Sequence, residues 1–366
     1  MSFSYGKRIK VTIFGQSHSP AIGVSIDGIP SGLEIDLDEL KKFLQRRAPG
    51  RDAYSTTRTE KDEVEIISGF KENKNLSSKI LTCGAPLTAI IRNTDARSSD
   101  YEKYADVPRP SHSDYAAFAK YGASHDIRGG GAFSGRMTAP LCIAGGIFLQ
   151  LLKQKNIFIA AHIAQIGEVK DTDFDPVNVN KGDFALLEKT DFPVLDKTAG
   201  EKMLKVIEEA KAEGDSLGGI IECAAIGLPA GIGEPMFEGI ENTLAQIIFA
   251  IPAVKGLEFG NGFAGSALKG SQNNDSFFIK DGKVKTRTNN HGGILGGISS
   301  GMPLLFRAAF KPTPSIAGEQ DSVSLSTLTE VKLSITGRHD PCIVPRAVPC
   351  VEAATAIALY DALLGV

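Results

Sequence analysis

From position 10 to position 364, short runs rich in Val and Ile, bounded by Gly and Pro, alternate with stretches of helical spacing. No Pro/Ser-rich linker interrupts the alternation. A chain of this kind must bury the apolar faces of several strands and several helices together, which points to an α+β fold. Strands are expected over 10–14, 23–29, 64–67, 87–92, 157–166, 219–226, 304–310 and 331–335. Helices are expected over 37–47, 113–121, 138–153, 201–212, 240–251 and 350–364. The first helix carries Asp36 and Glu39 at capping-box spacing and ends in Arg46-Arg47, where cations suit a helix C-terminus. Residues 93–112 form a long polar loop, 167–200 read as a solvated excursion, and 256–301 are rich in Gly, Asn and Ser. At 366 residues the chain has room for one large domain or two ordinary ones, and the missing linker favours a single domain over 1–366. Strand–helix alternation in both halves leaves room for a distant internal duplication.

Bulk charge excludes some functions. Net charge is −3, from 40 basic and 43 acidic side chains, so no global field draws in nucleic acid, and any anion site must be local. The 5 cysteines are scattered and lack a CxxC pair, which argues for a reducing compartment and against a disulfide framework or zinc site. No histidine pair shares metal-ligand spacing with a carboxylate or thiol, so no metal is expected. The first residues lack the apolar run of a signal peptide, and the apolar stretch 141–152 is too short to span a bilayer. A cytoplasmic protein that binds neither membrane nor nucleic acid is the expectation.

Four segments stand out because they combine scarce titratable groups with almost no apolar residue. Three hold His18, His112 and His339, from a total of 6 histidines: Gly15-Gln16-Ser17-His18-Ser19, Arg109-Pro110-Ser111-His112-Ser113-Asp114, and Gly337-Arg338-His339-Asp340-Pro341. The fourth, 128–136, sets Arg128 and Arg136 around Gly129-Gly130-Gly131. Histidine moves protons near neutral pH, and arginine presents a planar fork to phosphate or carboxylate. Each segment also has a plainer explanation. His18 would be a surface histidine, Ser111 or Ser113 an N-cap, the glycines a packing device, and Arg338 with Asp340 a simple pair. Lys311-Pro312-Thr313-Pro314-Ser315, at a strand end, offers a cation and hydroxyls or an ordinary turn. Arg136 at the start of a long helix is harder to dismiss, because a cation is disfavoured there unless an anion lies between. Taken together, the segments point to an enzyme acting on an anionic substrate.

At these residues the chain resembles the chorismate synthase family over essentially its whole length. The resemblance is carried by Ser17-His18 through Asp27-Gly28-Ile29-Pro30, Gln45-Arg46-Arg47 before Pro49-Gly50, Asn93-Thr94-Asp95 and Arg109-Pro110-Ser111-His112. It continues through Arg128 to Arg136, Ala253-Val254-Lys255-Gly256, Gly292 to Gly301, Lys311-Pro312-Thr313 and Arg338-His339-Asp340-Pro341.

The resemblance implies a large β-α-β sandwich, a homotetramer, and elimination of phosphate from 5-enolpyruvylshikimate 3-phosphate to give chorismate. It also implies reduced FMN, although the reaction has no net redox change. No nicotinamide fingerprint is visible, so an external flavin reductant is expected rather than direct use of NADPH. By the same resemblance, catalytic roles fall to His18, His112 and Asp340. Substrate contacts fall to Ser17, His18, Arg47, Arg51, Arg109, Ser134, Arg136 and Arg338. Flavin contacts fall to Ala132, Phe133, Ser134, Pro252, Ala253, Gly296, Lys311, Pro312, Thr313, Pro314, Ser315 and Arg338. The chain departs from the family at Ala132-Phe133, where Arg-Ser is usual, and at Pro252, where asparagine is common. Ala53 replaces a usual arginine, for which Arg51 would substitute, and Ser19 replaces a glycine. An aromatic Phe133 would recover some flavin affinity by packing on the ring.

Overall fold

Val11 pairs in register with Ile26, and Gly15 with Ile22, so the hairpin of Lys10–Gly15 and Ala21–Asp27 gathers its apolar side chains by period-two alternation. This hairpin is the centre of a five-stranded sheet in the computed structural model, which describes residues 3–48, 50, 62–72, 78–93, 105–335 and 340–365. The sheet runs Ser4–Tyr5, Lys10–Gly15, Ala21–Asp27, Leu87–Arg92, Val64–Ser68, with every neighbouring pair antiparallel. A second antiparallel sheet runs Val169–Lys170, Phe158–Ile166, Gly219–Ile226, Leu304–Phe310, Val254–Phe259. The described helices are α1 (Leu37–Arg47), α2 (Asp114–Tyr121), α3 (Thr138–Gln154), α4 (Lys181–Glu188), α5 (Lys197–Ala212), α6 (Ile240–Ile248), α7 (Gly262–Gly265), α8 (Gly270–Asn273) and α9 (Val344–Leu363).

Helices α3 and α9 form the middle layer. The first packs on the strands of the first sheet, the second on Phe158–Ile166 and Gly219–Ile226, and the two pack on each other. The result is the α+β sandwich expected from the sequence. Cys142 meets Cys350 at 3.8 Å between sulfurs, and the rings of Phe148 and Tyr360 lie 4.8 Å apart. Position therefore advances together along both helices, so they run parallel and begin at the same end. Gly145 makes the close approach possible, because a Cβ there would collide with Ala353.

Both sheets place their four main strands in the spatial order first, second, fourth, third along the chain. Each has a helix between the second and third strand (α1 or α6) and a long helix after the fourth (α3 or α9). The two halves thus share one order of strands and helices.

Several local expectations shift. Asp36 caps α1 through the N–H groups of Asp38 and Glu39, but the Glu39 carboxylate bonds Lys153 Nζ at 2.8 Å, so the reciprocal half of a capping box is absent. The stretch 167–200 is not merely a solvated excursion. It contains α4 and the start of α5, and Asp171 pins it by accepting from the N–H groups of Leu195 and Asp196. The Gly-rich 256–301 holds two hairpins, Phe277–Lys280 with Lys283–Thr286 and Ile294–Leu295 with Ile298–Ser299. A small sheet of Glu34–Asp36, Lys79–Thr82 and Phe70–Glu72 was not expected. The strand placed at 331–335 is Thr329–Leu333, and α6 ends at Ile248. Helix α9 begins at Val344 rather than 350, with Pro345 in the tolerated first turn and Pro349 carried inside it. By length and composition the segment Gly135–Gln154 is long and apolar enough to cross a membrane, yet 89% of its apolar window is buried inside this fold.

Candidate active site

The glycine run of 128–133 explains how separate loops meet. Gly129, Gly130 and Gly131 have φ of 60°, 83° and 55°, a left-handed path that side chains disfavour. A Cβ on Gly129 would collide with the His18 ring and Ser17 Oγ. A Cβ on Gly130 would lie 3.4 Å from His112 Cε1 and 3.5 Å from its Nε2. Ser17 N–H donates to the Gly131 carbonyl at 3.1 Å, and Ser17 Oγ lies 3.3 Å from His18 Nδ1. The two imidazoles thus sit against adjacent glycines. The glycines act as the packing device, and what they pack is the pair of histidines.

Around His112 the charges are interlocked. Arg109 is buried, and its Nε and Nη2 donate to the two oxygens of Asp114 at 2.7 and 2.9 Å. His112 Nδ1 lies 2.6 Å from Asp114 Oδ1. Burial lowers the pKa of His112, and the nearby cations Arg109 and Lys311 add to this, against the opposing pull of Asp114. Burial alone would raise the Asp114 carboxyl, but its bonds to Arg109 and His112 hold it well below the usual carboxylate range. Ser113 does sit at the N-cap of α2, although its hydroxyl makes no capping bond and lies 3.4 Å from His112 Nδ1 instead. Lys311 Nζ donates to the Ser111 carbonyl at 2.9 Å, and Ser315 Oγ lies 3.5 Å from Arg109 Nη1. The Arg109 and Lys311 segments therefore share this corner.

A second cluster centres on Asp62, which is buried and has φ of 46°. Arg47 Nη1 donates to its Oδ2 at 2.6 Å, and Arg136 Nη1 to its Oδ1. Those two guanidinium groups hold the Asp62 carboxyl below its ordinary pKa although burial works the other way. The anion that the helix start at Arg136 required is thus the protein's own, Asp62. Arg47 Nε also donates to Thr138 Oγ1 at 3.1 Å in the first turn of α3, and Arg346 Nε of α9 donates to the Arg47 carbonyl at 3.1 Å. Arg346 Nη1 holds Asp340 Oδ2 at 2.5 Å, so a partner for Asp340 comes from α9. Asn93 ties the clusters together: it accepts from Arg136 Nε at 3.2 Å and donates to the Ser19 carbonyl at 2.8 Å in the His18 loop. Ser134 Oγ accepts from Arg136 N–H and caps the following turn.

The structure therefore brings together Ser17, His18, Arg47, Arg109, His112, Ser134, Arg136, Lys311, Ser315 and, through Arg346, Asp340. Arg51, Arg338 and His339 lie outside the described residues, as does Ala53. Ala253 is joined to this set, since its carbonyl accepts from Lys311 N–H at 3.0 Å, and Pro252 precedes it. Phe133 is 40% exposed and lies edge-on to His125, with 5.7 Å between ring centres. Thr313 Oγ1 is buried with no hydrogen-bond partner among the described residues. Gly296 lies at the turn of the hairpin of Ile294–Leu295 and Ile298–Ser299, next to Gly297, whose carbonyl accepts from Ile240 N–H at 2.9 Å.

Asp62, Asn93, Asp114, Thr138 and Arg346 were given no role from the sequence. Asp114 lay in a segment already singled out, and its spacing from Arg109 was the available signal. Asp62 offered none, because its partners are 15 and 74 residues away.

A family model described as chorismate synthase matches residues 9–364. Chorismate synthases of Lancefieldella parvula and Dehalococcoides mccartyi are each 46% identical to this chain, over 99% and 100% of it and 96% and 97% of their own lengths. That of Thermococcus kodakarensis is 45% identical over 98% of this chain and 97% of its own. A crystal structure of chorismate synthase superposes with a TM-score of 0.76 at 27% identity, covering 98% of this chain and 93% of the other.

Proposed function

The chain belongs to the chorismate synthase family, and on that premise we propose that it eliminates phosphate from 5-enolpyruvylshikimate 3-phosphate to form chorismate, in the shikimate pathway of aromatic amino acid biosynthesis. The carbon–oxygen bond to phosphate breaks, a ring proton leaves, and a second ring double bond forms. What supports this reading most is one observation: two imidazoles from loops far apart in sequence pack on the glycine run, with buried Arg109 tied to one of them through Asp114, and Arg136, which follows the run, tied to buried Arg47 through Asp62. A substrate with one phosphate and two carboxylates needs such convergent forks, held in place before it arrives.

In this reading Arg47, Arg109 and Arg136 grip the anionic groups, assisted by Ser17 and Ser134, with Arg51 and Arg338 completing the set. His112 stands at the leaving phosphate, where an imidazolium stabilises developing charge. His18 manages a second proton, and Asp340, steadied by Arg346, takes part in relaying the proton removed from the ring.

The residues also fit reduced FMN. Lys311 supplies a cation, Ser315 a hydroxyl, and Thr313 a buried hydroxyl awaiting a partner. Ala132, Phe133, Ser134, Ala253, Pro312, Pro314 and Arg338 would line the same group, Pro252 only through its backbone. When bound, reduced FMN supplies an electron-rich ring for a reaction that has no net redox change. Gly296, at the turn of its hairpin, would add a backbone contact.

The reductant is external in this proposal, the compartment cytoplasmic, and the assembly a homotetramer. The large exposed side chains Phe237 and Phe263, at 84% and 82% exposure, are consistent with further burial between copies. An anaerobic assay with chemically reduced FMN tests the reaction directly. Chorismate absorbance and released phosphate should rise together; neither rising would overturn the proposal. Oxidation of NADPH by the protein with free FMN, without substrate, would instead identify a reductase.

A further inference from the structure

This inference rests on the role just given to His112. We propose that Asp114 is a positioning residue for the reaction: it accepts a hydrogen bond from Nδ1–H of His112 and so leaves Nε2 of that ring facing the glycine run.

The geometry leaves little alternative. At 2.6 Å from Asp114 Oδ1, an unprotonated Nδ1 would set its lone pair against a carboxylate oxygen. An Nδ1–H makes the same contact a charge-assisted bond. Arg109 Nη2, 3.2 Å from Nδ1, is the competing donor, but that contact is the longer one, and an unprotonated Nδ1 accepting it would still face Asp114 Oδ1 at 2.6 Å. Asp114 is itself immobilised: it is 3% exposed, and Oδ2 accepts from both Arg109 N–H at 3.1 Å and Arg109 Nε at 2.7 Å. On the other side of the ring, Gly130 has no side chain to cover the Nε2 edge. Among the described residues, the charged groups facing this histidine are Asp114 and Arg109 from its own loop and Lys311 from the end of strand Leu304–Phe310.

The consequence is chemical. With Nδ1–H committed to Asp114, Nε2 carries the lone pair in the neutral ring and the transferable proton in the charged one. Proton transfer or hydrogen bonding to a phosphate oxygen then passes through one nitrogen with a set direction. The same carboxylate holds Arg109, so a single buried anion orients both the fork and the imidazole.

Two measurements test this. In wild-type protein with ¹⁵N-labelled histidine, the neutral His112 ring should show the Nδ1–H tautomer, assigned by loss of its signals in His112→Gln. The Nε2–H tautomer would overturn the inference whatever the activity of any variant. In Asp114→Asn, kcat should fall about 100-fold or more, the loss typical of a misdirected acid–base group. The pH limb belonging to His112 should move to lower pH, because the charge that favours imidazolium is gone. Unchanged kcat and pH profile in folded Asp114→Asn would also sink it. The underlying reading fails separately: wild-type turnover by His112→Ala would remove the histidine from the reaction and this inference with it. A slow His112→Ala beside a normal Asp114→Asn would remove the inference alone.

Discussion

At Gly129 two requirements fall on one residue, a φ of 60° and contact with His18 and Ser17 where a Cβ would stand. Gly129→Ala should therefore cost about 1–3 kcal/mol in backbone strain and displace His18 as well. We expect chorismate formation to fall more than 10-fold while most of the protein stays folded at 25 °C. Gly130→Ala should displace its histidine less, since its Cβ would meet His112 at an ordinary 3.4 Å, although φ of 83° strains any side chain there and the methyl would stand beside Nε2. Parallel assays and thermal melts of the two variants check the ranking; equal activity would contradict it. The glycines were legible as a feature of the sequence, but their partners were not. An anion site and a packing device both remained open until His18 and His112 were seen against the glycines.

Among the elements, strand Phe158–Ile166 carries a buried histidine with no part in the site. His162 is fully buried, with Nδ1 3.0 Å from Asp171 and Nε2 2.9 Å from Glu222. Burial works against the charged ring, but the two carboxylates outweigh it and raise its pKa. A raised pKa in the folded state stabilises fully below the unfolded value of about 6.5 and is lost as pH climbs through the folded value. Asp171 is shifted downwards, so its contribution is lost at the acid end instead. The melting temperature should therefore hold on the acid side of about pH 6.5, down to the acid range where Asp171 titrates, and decline above it. His162→Gln should flatten that alkaline decline and cost about 3–5 kcal/mol by stranding buried carboxylates; an unaltered slope would refute the assignment. Helices α3 and α9 set a different limit. Gly145→Val should force them apart at Ala353, lower the melting temperature, and weaken turnover by moving the first turns that hold Arg47. Wild-type activity in that variant would show that the helix spacing does not matter to the site.

On the scale of the whole molecule, the site lies where both halves of the frame contribute. Arg47, Arg136 and the His18 loop come from the first half, Lys311 and Arg346 from the second. One hydrophobic cluster includes Ile9, Val24, Phe148, Phe306 and Tyr360, drawing on both sheets and both middle helices. We propose that residues 1–366 form a single domain, and expect one cooperative calorimetric transition; two resolved transitions would contradict it. Alternation of strand and helix patterns, absence of a linker, and placement of histidines and arginines in glycine and proline loops were all written in the sequence. Local periodicity and turn chemistry are properties of neighbouring residues, so such features can be read along a chain. Charge partners are different. Asp62 meets Arg136 across 74 residues and Arg46 meets Glu352 across 306, and which carboxylate meets which cation depends on where loops close in space. Tertiary structure alone decided that the cations arrive already held by buried aspartates, because only a folded interior excludes the water that would otherwise compete for them.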